Sequence, residues 1–167
     1  MRKSRPPHVI TITMTQTIQH YTELIVYRNA VEAAVTVHCT ARAIPEEETQ
    51  TLTEPLLVAS RAVGAAIATA WGRRRYKTPF IAKLSIAESA ANETQFWLEM
   101  AERCGYLKLE ERVKLENDYG QISAQLAKMI ATSHTWLLRP EIKSEPPGGS
   151  SAEKSPTSAV TPGNVPF

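Results

Sequence analysis

The sequence is short of most of the features that announce chemistry. It has only two cysteines, Cys39 and Cys104, far apart and outside any CxxC or Cys/His cluster. A disulfide framework is therefore not indicated, and free buried thiols in a reducing compartment are expected. Histidine is scarce: His8, His20, His38 and His134. No Glu is followed three residues later by His, the pattern a di-metal bundle site would need. Glycine numbers only 7, and none belongs to a phosphate-cradling loop. The longest apolar stretch, Leu56 to Trp71, is about 16 residues and contains Arg61, against the ~20 of a membrane span. The basic N-terminus leads into the threonine-rich Val9 to Met14, unlike a signal-peptide core. These absences point to a soluble, cytoplasmic protein with no catalytic, metal or cofactor site and no membrane partner. Glu88 and Glu93 are the nearest approach to paired carboxylates. Five residues apart on a helix, they diverge by about 140°.

What is present suits an all-α fold. The 167 residues are 43% hydrophobic and 22% charged, enough for one packed domain. Residues 1–17, with Pro6-Pro7, read as a flexible N-terminal segment. Helix one is expected from Ile18 to Ala43, with Leu24, Tyr27, Val31, Ala34, His38 and Ala41 facing inward. Ile44-Pro45 ends it. Helix two begins near Glu46, whose three glutamates suit a helix N-terminus. Pro55 requires either a kink or a start of the main helix close to it. Leu56 to Trp71 is alanine-rich and strongly helix-forming, and Gly72 closes it.

Thr78-Pro79 is an N-cap followed by proline for helix three. That helix runs to about Arg103 with Phe80, Leu84, Ala87, Ala91, Thr94, Leu98 and Ala101 inward, and Gly105 stops it. Helix four, from Glu110 to Leu138, carries Leu115, Tyr119, Ile122, Leu126, Met129, Ser133 and Leu137 at three- and four-residue spacing. Residues 140–167 are rich in Pro, Gly and Ser and are expected to stay disordered. Short connections between these helices imply an antiparallel up-down-up-down four-helix bundle with disordered termini, its folded part being 18–139.

The net charge of +2 says little until it is located. Between Leu56 and Ala87 the charges are Arg61, Arg73, Arg74, Arg75, Lys77 and Lys83, with no acid. Arg73, Arg74, Arg75 and Lys77 fall in one connector, with Tyr76 inside it and Trp71 just before. Guanidinium groups pair with phosphates, and aromatic rings stack on unpaired bases. The plainer alternative is a solvated turn whose cations suit the C-terminus of helix two. Trp71, Trp97 and Trp136 serve the core or an interface, and Trp97, next to the inward Leu98, points partly outward.

The order of motifs resembles the four-helix bundle proteins encoded in intervening sequences of large-subunit ribosomal RNA genes. The likeness rests on Ile44-Pro45-Glu46-Glu47-Glu48, Leu52, Ala59, Val63, Ile67-Ala68, Trp71-Gly72-Arg73, Phe80, Leu84-Ser85-Ile86-Ala87, Glu93 and Gly105-Tyr106-Leu107. It spans roughly Tyr21 to Leu137. The chain departs from the family's usual polar residues at Pro55, Val58, Ala62, Ala66, Thr69 and Ala70. The resemblance implies a homopentameric barrel of four-helix bundles and does not imply an enzyme. It extends to the accessory variability proteins of diversity-generating retroelements, which are similar in fold and bind nucleic acid and a reverse transcriptase. The resulting expectation is a scaffold that binds RNA or DNA through Arg73, Arg74, Arg75 and Lys77, with Arg61, Lys83, Tyr76 and Trp71 in support. The alternative is a protein-only adaptor that docks a partner through its Ala- and Trp-rich helix faces.

Overall fold

In the computed structural model the described residues are 18–138; the flexible N-terminal segment and the disordered tail expected from the sequence lie outside them. Four helices form the body: α1 Ile25–Thr40, α2 Glu54–Gly72, α3 Lys77–Arg103 and α4 Leu109–Ala131. Residues 73–76 join α2 to α3 and residues 104–108 join α3 to α4, turns too short for anything but antiparallel neighbours. Asn29 of α1 donates to Gln125 of α4 at 3.3 Å, while Thr36 shares a groove with Lys114. Sequence numbers that rise on one helix and fall on the other are antiparallel as well. The chain therefore runs up, down, up, down.

α3 and α4 follow the expected stripes. Every inward position named for α3 is buried, and so are Leu115, Tyr119, Ile122, Leu126, Met129 and Ser133. The end of α3 shows why Gly105 is needed there. Its φ is +79°. The Tyr106 amide reaches back to the Ala101 carbonyl at 2.9 Å and the Gly105 amide to Glu102 at 2.9 Å, a Schellman closure. The core also carries a polar seam. Ser60, Thr94 and Tyr119 are fully buried. Ser60 donates to the Leu57 carbonyl and Thr94 to that of Ala90. The Tyr119 hydroxyl faces both but closes no well-formed hydrogen bond. Burial pushes its phenol well above the ordinary value.

Several boundaries differ from expectation. Helix one starts at Ile25 rather than Ile18, because a separate turn, Tyr21–Glu23, precedes it and Leu24 is extended. Its buried face is Val26, Ala30, Ala33, Val37 and Ala41. The predicted stripe through Tyr27, Val31 and His38 is rotated by one residue, and Val31 and His38 are exposed. Helix two does not begin at Glu46. A 3₁₀ turn, Glu46–Glu48, and a π-helical turn, Thr49–Thr53, come first, and α2 begins with Pro55 in its first turn. There the missing N–H and the ring cost little. α3 begins at Lys77, so Tyr76 occupies the cap position and Thr78-Pro79 falls inside the first turn. α4 stops at Ala131, and a 3₁₀ turn, Ser133–Thr135, carries the chain on. Cys39 and Cys104 are free but exposed, not buried.

α2 is the apolar element. The segment Glu46–Gly72 is long and apolar enough to cross a membrane by length and composition. The bundle buries 44% of its apolar window.

Candidate nucleic-acid interface

The basic connector is a tight, internally bonded turn. As α2 ends, the Arg73 amide donates to the Ala70 carbonyl at 2.9 Å, and the Tyr76 amide returns to the Arg73 carbonyl at 3.2 Å. This turn gives the four cations different roles. Arg73, Arg75 and Lys77 are exposed. Arg74 is drawn back onto the bundle. Its guanidinium carbon lies 3.3 Å from the centroid of the Trp71 ring, and its Nε donates to the Trp71 carbonyl at 2.8 Å. Burial lowers its pKa from the ordinary value; arginine still keeps its proton. Arg74 thus satisfies an orphan carbonyl at the end of α2 and opposes the negative end of that helix.

Trp71 is 8% exposed and covered by Arg74. It also packs edge-on against Trp136, with ring centroids 6.5 Å apart. The expectation that Trp71 stacks on a base is corrected accordingly: its accessible face is already occupied, and it supports Arg74 instead. Tyr76 is 70% exposed, which leaves its ring open to stacking between Arg75 and Lys77.

The outlying cations separate. Arg61 lies about 18 Å along α2 from Arg73 and lines a groove against α1, so the fold does not bring it to the connector. Lys83 is half-buried, about 9 Å along α3 and turned some 120° from Lys77.

Topology adds residues that a local reading misses. In an antiparallel bundle the start of α1, the end of α2, the start of α3 and the end of α4 share one pole. The Leu138 amide donates to the Arg74 carbonyl at 3.1 Å and ties the chain after α4 to the connector. Arg28, Lys128 and His134 therefore join Arg73, Arg75 and Lys77 at one end of the molecule, where Glu23 is the lone acid among the described residues. The opposite end holds Glu46, Glu47, Glu48, Glu54, Glu99, Glu102, Glu110 and Glu111 against Arg42, Arg103, Lys108 and Arg112. Among the described residues the ion pairs join Arg103 to Glu99 at 2.7 Å, and Arg112 to Glu102 at 3.7 Å and to Glu116. None consumes a cation of the basic pole. His134 lies near the expected end of helix four, but Arg28 and Lys128 fall well inside the expected helices and carry no local signal; the observed boundaries at Ile25 and Ala131 bring them to the pole. The first-turn amides of α3 also open at this pole, where anions are favoured.

No group of three or more His, Cys, Asp and Glu side chains is placed to hold a metal among the described residues.

A sequence model of the 23S rRNA-intervening sequence protein family matches residues 22–128, which include the whole basic connector. A solved structure from Bacteroides thetaiotaomicron, described as a protein of unknown function from the S23 ribosomal protein family, is similar in fold. It is 29% identical, with a TM-score of 0.58, over 64% of this chain and 98% of that one. No curated protein matches the chain. The shared bundle, the extent of the match and the sequence identity together establish that the chain belongs to the 23S rRNA-intervening sequence protein family.

Proposed function

We propose that the protein is a non-enzymatic, self-assembling scaffold of the cytoplasm that binds nucleic acid, RNA foremost, through the basic pole of its bundle. The observation that carries this reading is the convergence of Arg28, Arg73, Arg75, Lys77 and Lys128 at one pole with no ion-pair partner among the described residues. A solvated turn accounts for one or two of these cations, but not for their gathering from three parts of the fold. Cations left unpaired act together and raise the local potential over several ångströms. Binding of this kind reads phosphates and tolerates sequence, with Tyr76 adding one stacking surface.

The family name favours RNA over DNA. The assembly suggested by the resemblance is a homopentamer, and the partner it suggests is a nucleic-acid enzyme such as a reverse transcriptase, which the scaffold would serve as a retroelement accessory. A cyclic assembly repeats the basic pole once per subunit on one face, so weak contacts add along a single strand.

The test is titration of the full chain into labelled single-stranded RNA over a salt series, with Arg73→Gln/Arg75→Gln/Lys77→Gln in parallel. Salt-steep binding that flattens in the triple variant supports the proposal. Indifference to RNA and DNA at low salt overturns it and leaves the adaptor reading, in which the apolar helix faces alone recruit a protein.

A further inference from the structure

α2 is apolar on more of its circumference than the bundle covers. Between Glu54 and Gly72 its one charge is Arg61. Leu56, Val63, Ile67 and Ala70 face the core, whereas Val58 is 61% exposed and Ala65 is exposed too.

On its α1 flank, Gly64, Ala65 and Ala68 face Tyr27, Val31 and Val35 across a groove of about 480 Å³. The α2 wall is built of small residues, which permits close approach. The rim carries Arg61 and the exposed His38. α3 offers the opposite shape. Ile86 and Phe96 are exposed, Trp97 is half-buried, and Glu93 stands between them on the same helical stripe. The Phe96 and Trp97 rings lie 4.9 Å apart, and the Trp97 indole N–H donates to the Glu93 carboxylate at 3.5 Å. The face is apolar at its two ends, with the exposed Ser89, Asn92 and Glu93 between them, and it forms a ridge facing away from the core of its own chain.

We infer that the α3 ridge of one subunit seats in the α1–α2 groove of a second copy, with Glu93 meeting Arg61. The two surfaces complement each other in shape and in sign, and both belong to this chain. Because groove and ridge are different patches, the contact is heterologous: each subunit gives its ridge to one neighbour and its groove to another, and the array closes as a ring or grows as a filament. The inference deepens the self-assembly part of the proposed function and is independent of nucleic-acid binding at the pole. It also gives Arg61 a use that its distance from the connector denies it there.

Two single variants test the geometry, since Val35 and Phe96 are exposed and neither change disturbs the core. By light scattering on the full chain, the wild type should have a multi-subunit mass. Val35→Glu destroys the groove and Phe96→Glu the ridge, so each alone should fall to a monomer with unchanged helicity by circular dichroism. Mixed together, the intact ridge of the first fits the intact groove of the second, and the mixture should reach the mass of two chains and stop there. The charge pair has its own arm: Arg61→Glu and Glu93→Arg should each weaken assembly, and the double variant should restore it. A variant that keeps the wild-type mass, or a mixture that stays monomeric, overturns the groove-and-ridge contact. A monomeric wild type overturns it as well, while RNA binding lost in the connector variant at unchanged mass would bear only on the pole.

Discussion

The division of labour within the arginine run gives the most demanding prediction. Arg73, Arg75 and Lys77 are exposed, whereas Arg74 is held against Trp71 by a 3.3 Å stacking contact and a 2.8 Å hydrogen bond. If each exposed cation neutralises one phosphate of a single strand, the three together contribute a slope of about −2 to the dependence of log K on log salt. Raising salt from about 50 to 200 mM should then cost their share of the affinity about 20-fold per engaged subunit. Arg73→Gln/Arg75→Gln/Lys77→Gln removes that component, and its salt plot should be flatter by about 2 with no change in unfolding midpoint. Arg74→Gln should do the reverse. It gives up a partly desolvated cation–π contact and a cap hydrogen bond, together about 1–2 kcal/mol of stability, and should alter the salt slope less than any of the other three singly. Fluorescence anisotropy of labelled RNA across salt, with urea unfolding of the same preparations, reads both quantities. A triple variant with the wild-type slope refutes phosphate contact by this turn. An Arg74→Gln variant that flattens the slope like Arg73→Gln at unaltered stability refutes the assignment of Arg74 to the fold.

Two further outcomes concern the bundle itself. Gly105→Ala should cost about 1–2 kcal/mol. The added methyl meets nothing within 4 Å, so a loss seen by urea unfolding isolates the left-handed backbone as its cause, and an unchanged midpoint would show that the turn relaxes to another closure. Tyr119→Phe should be neutral or stabilising by up to ~1 kcal/mol, because the buried hydroxyl closes no well-formed hydrogen bond while Ser60 and Thr94 are spent on carbonyls. A loss near 2 kcal/mol in the same assay would show that the three hydroxyls form a satisfied network.

How much of this was legible beforehand depends on whether one face of a helix is apolar or several are. On α4 the apolar residues repeat at three and four with polar residues between them, so a single inward stripe fits and Leu115, Tyr119, Ile122 and Leu126 are found in the core. α1 has two candidate stripes one residue apart. Val26, Ala30, Ala33 and Val37 form one; Tyr27, Val31, Ala34 and His38 form the other. Spacing alone ranks them equally. Packing chose the first, because small alanines let α1 approach its neighbours closely, and the bulkier set was left to line the groove. A helix with a spare apolar stripe has something left to bury.

The site follows the same logic in charge. Arg73, Arg74, Arg75 and Lys77 are adjacent in sequence, and the run is visible to any local reading. Nothing in the run distinguishes Arg74, whose fate depends on a tryptophan three residues earlier and a second one after α4. Nor is the pole visible in a net charge of +2. Arg28 and Lys128 are 100 residues apart and meet only because four helices alternate in direction, an arrangement that sends the glutamates around Glu46, Glu99 and Glu110 to the far end. The bundle topology turns an almost neutral chain into a polarised one. Where composition gave no reason to expect an electrostatic partner, the alternation of helix direction supplies one.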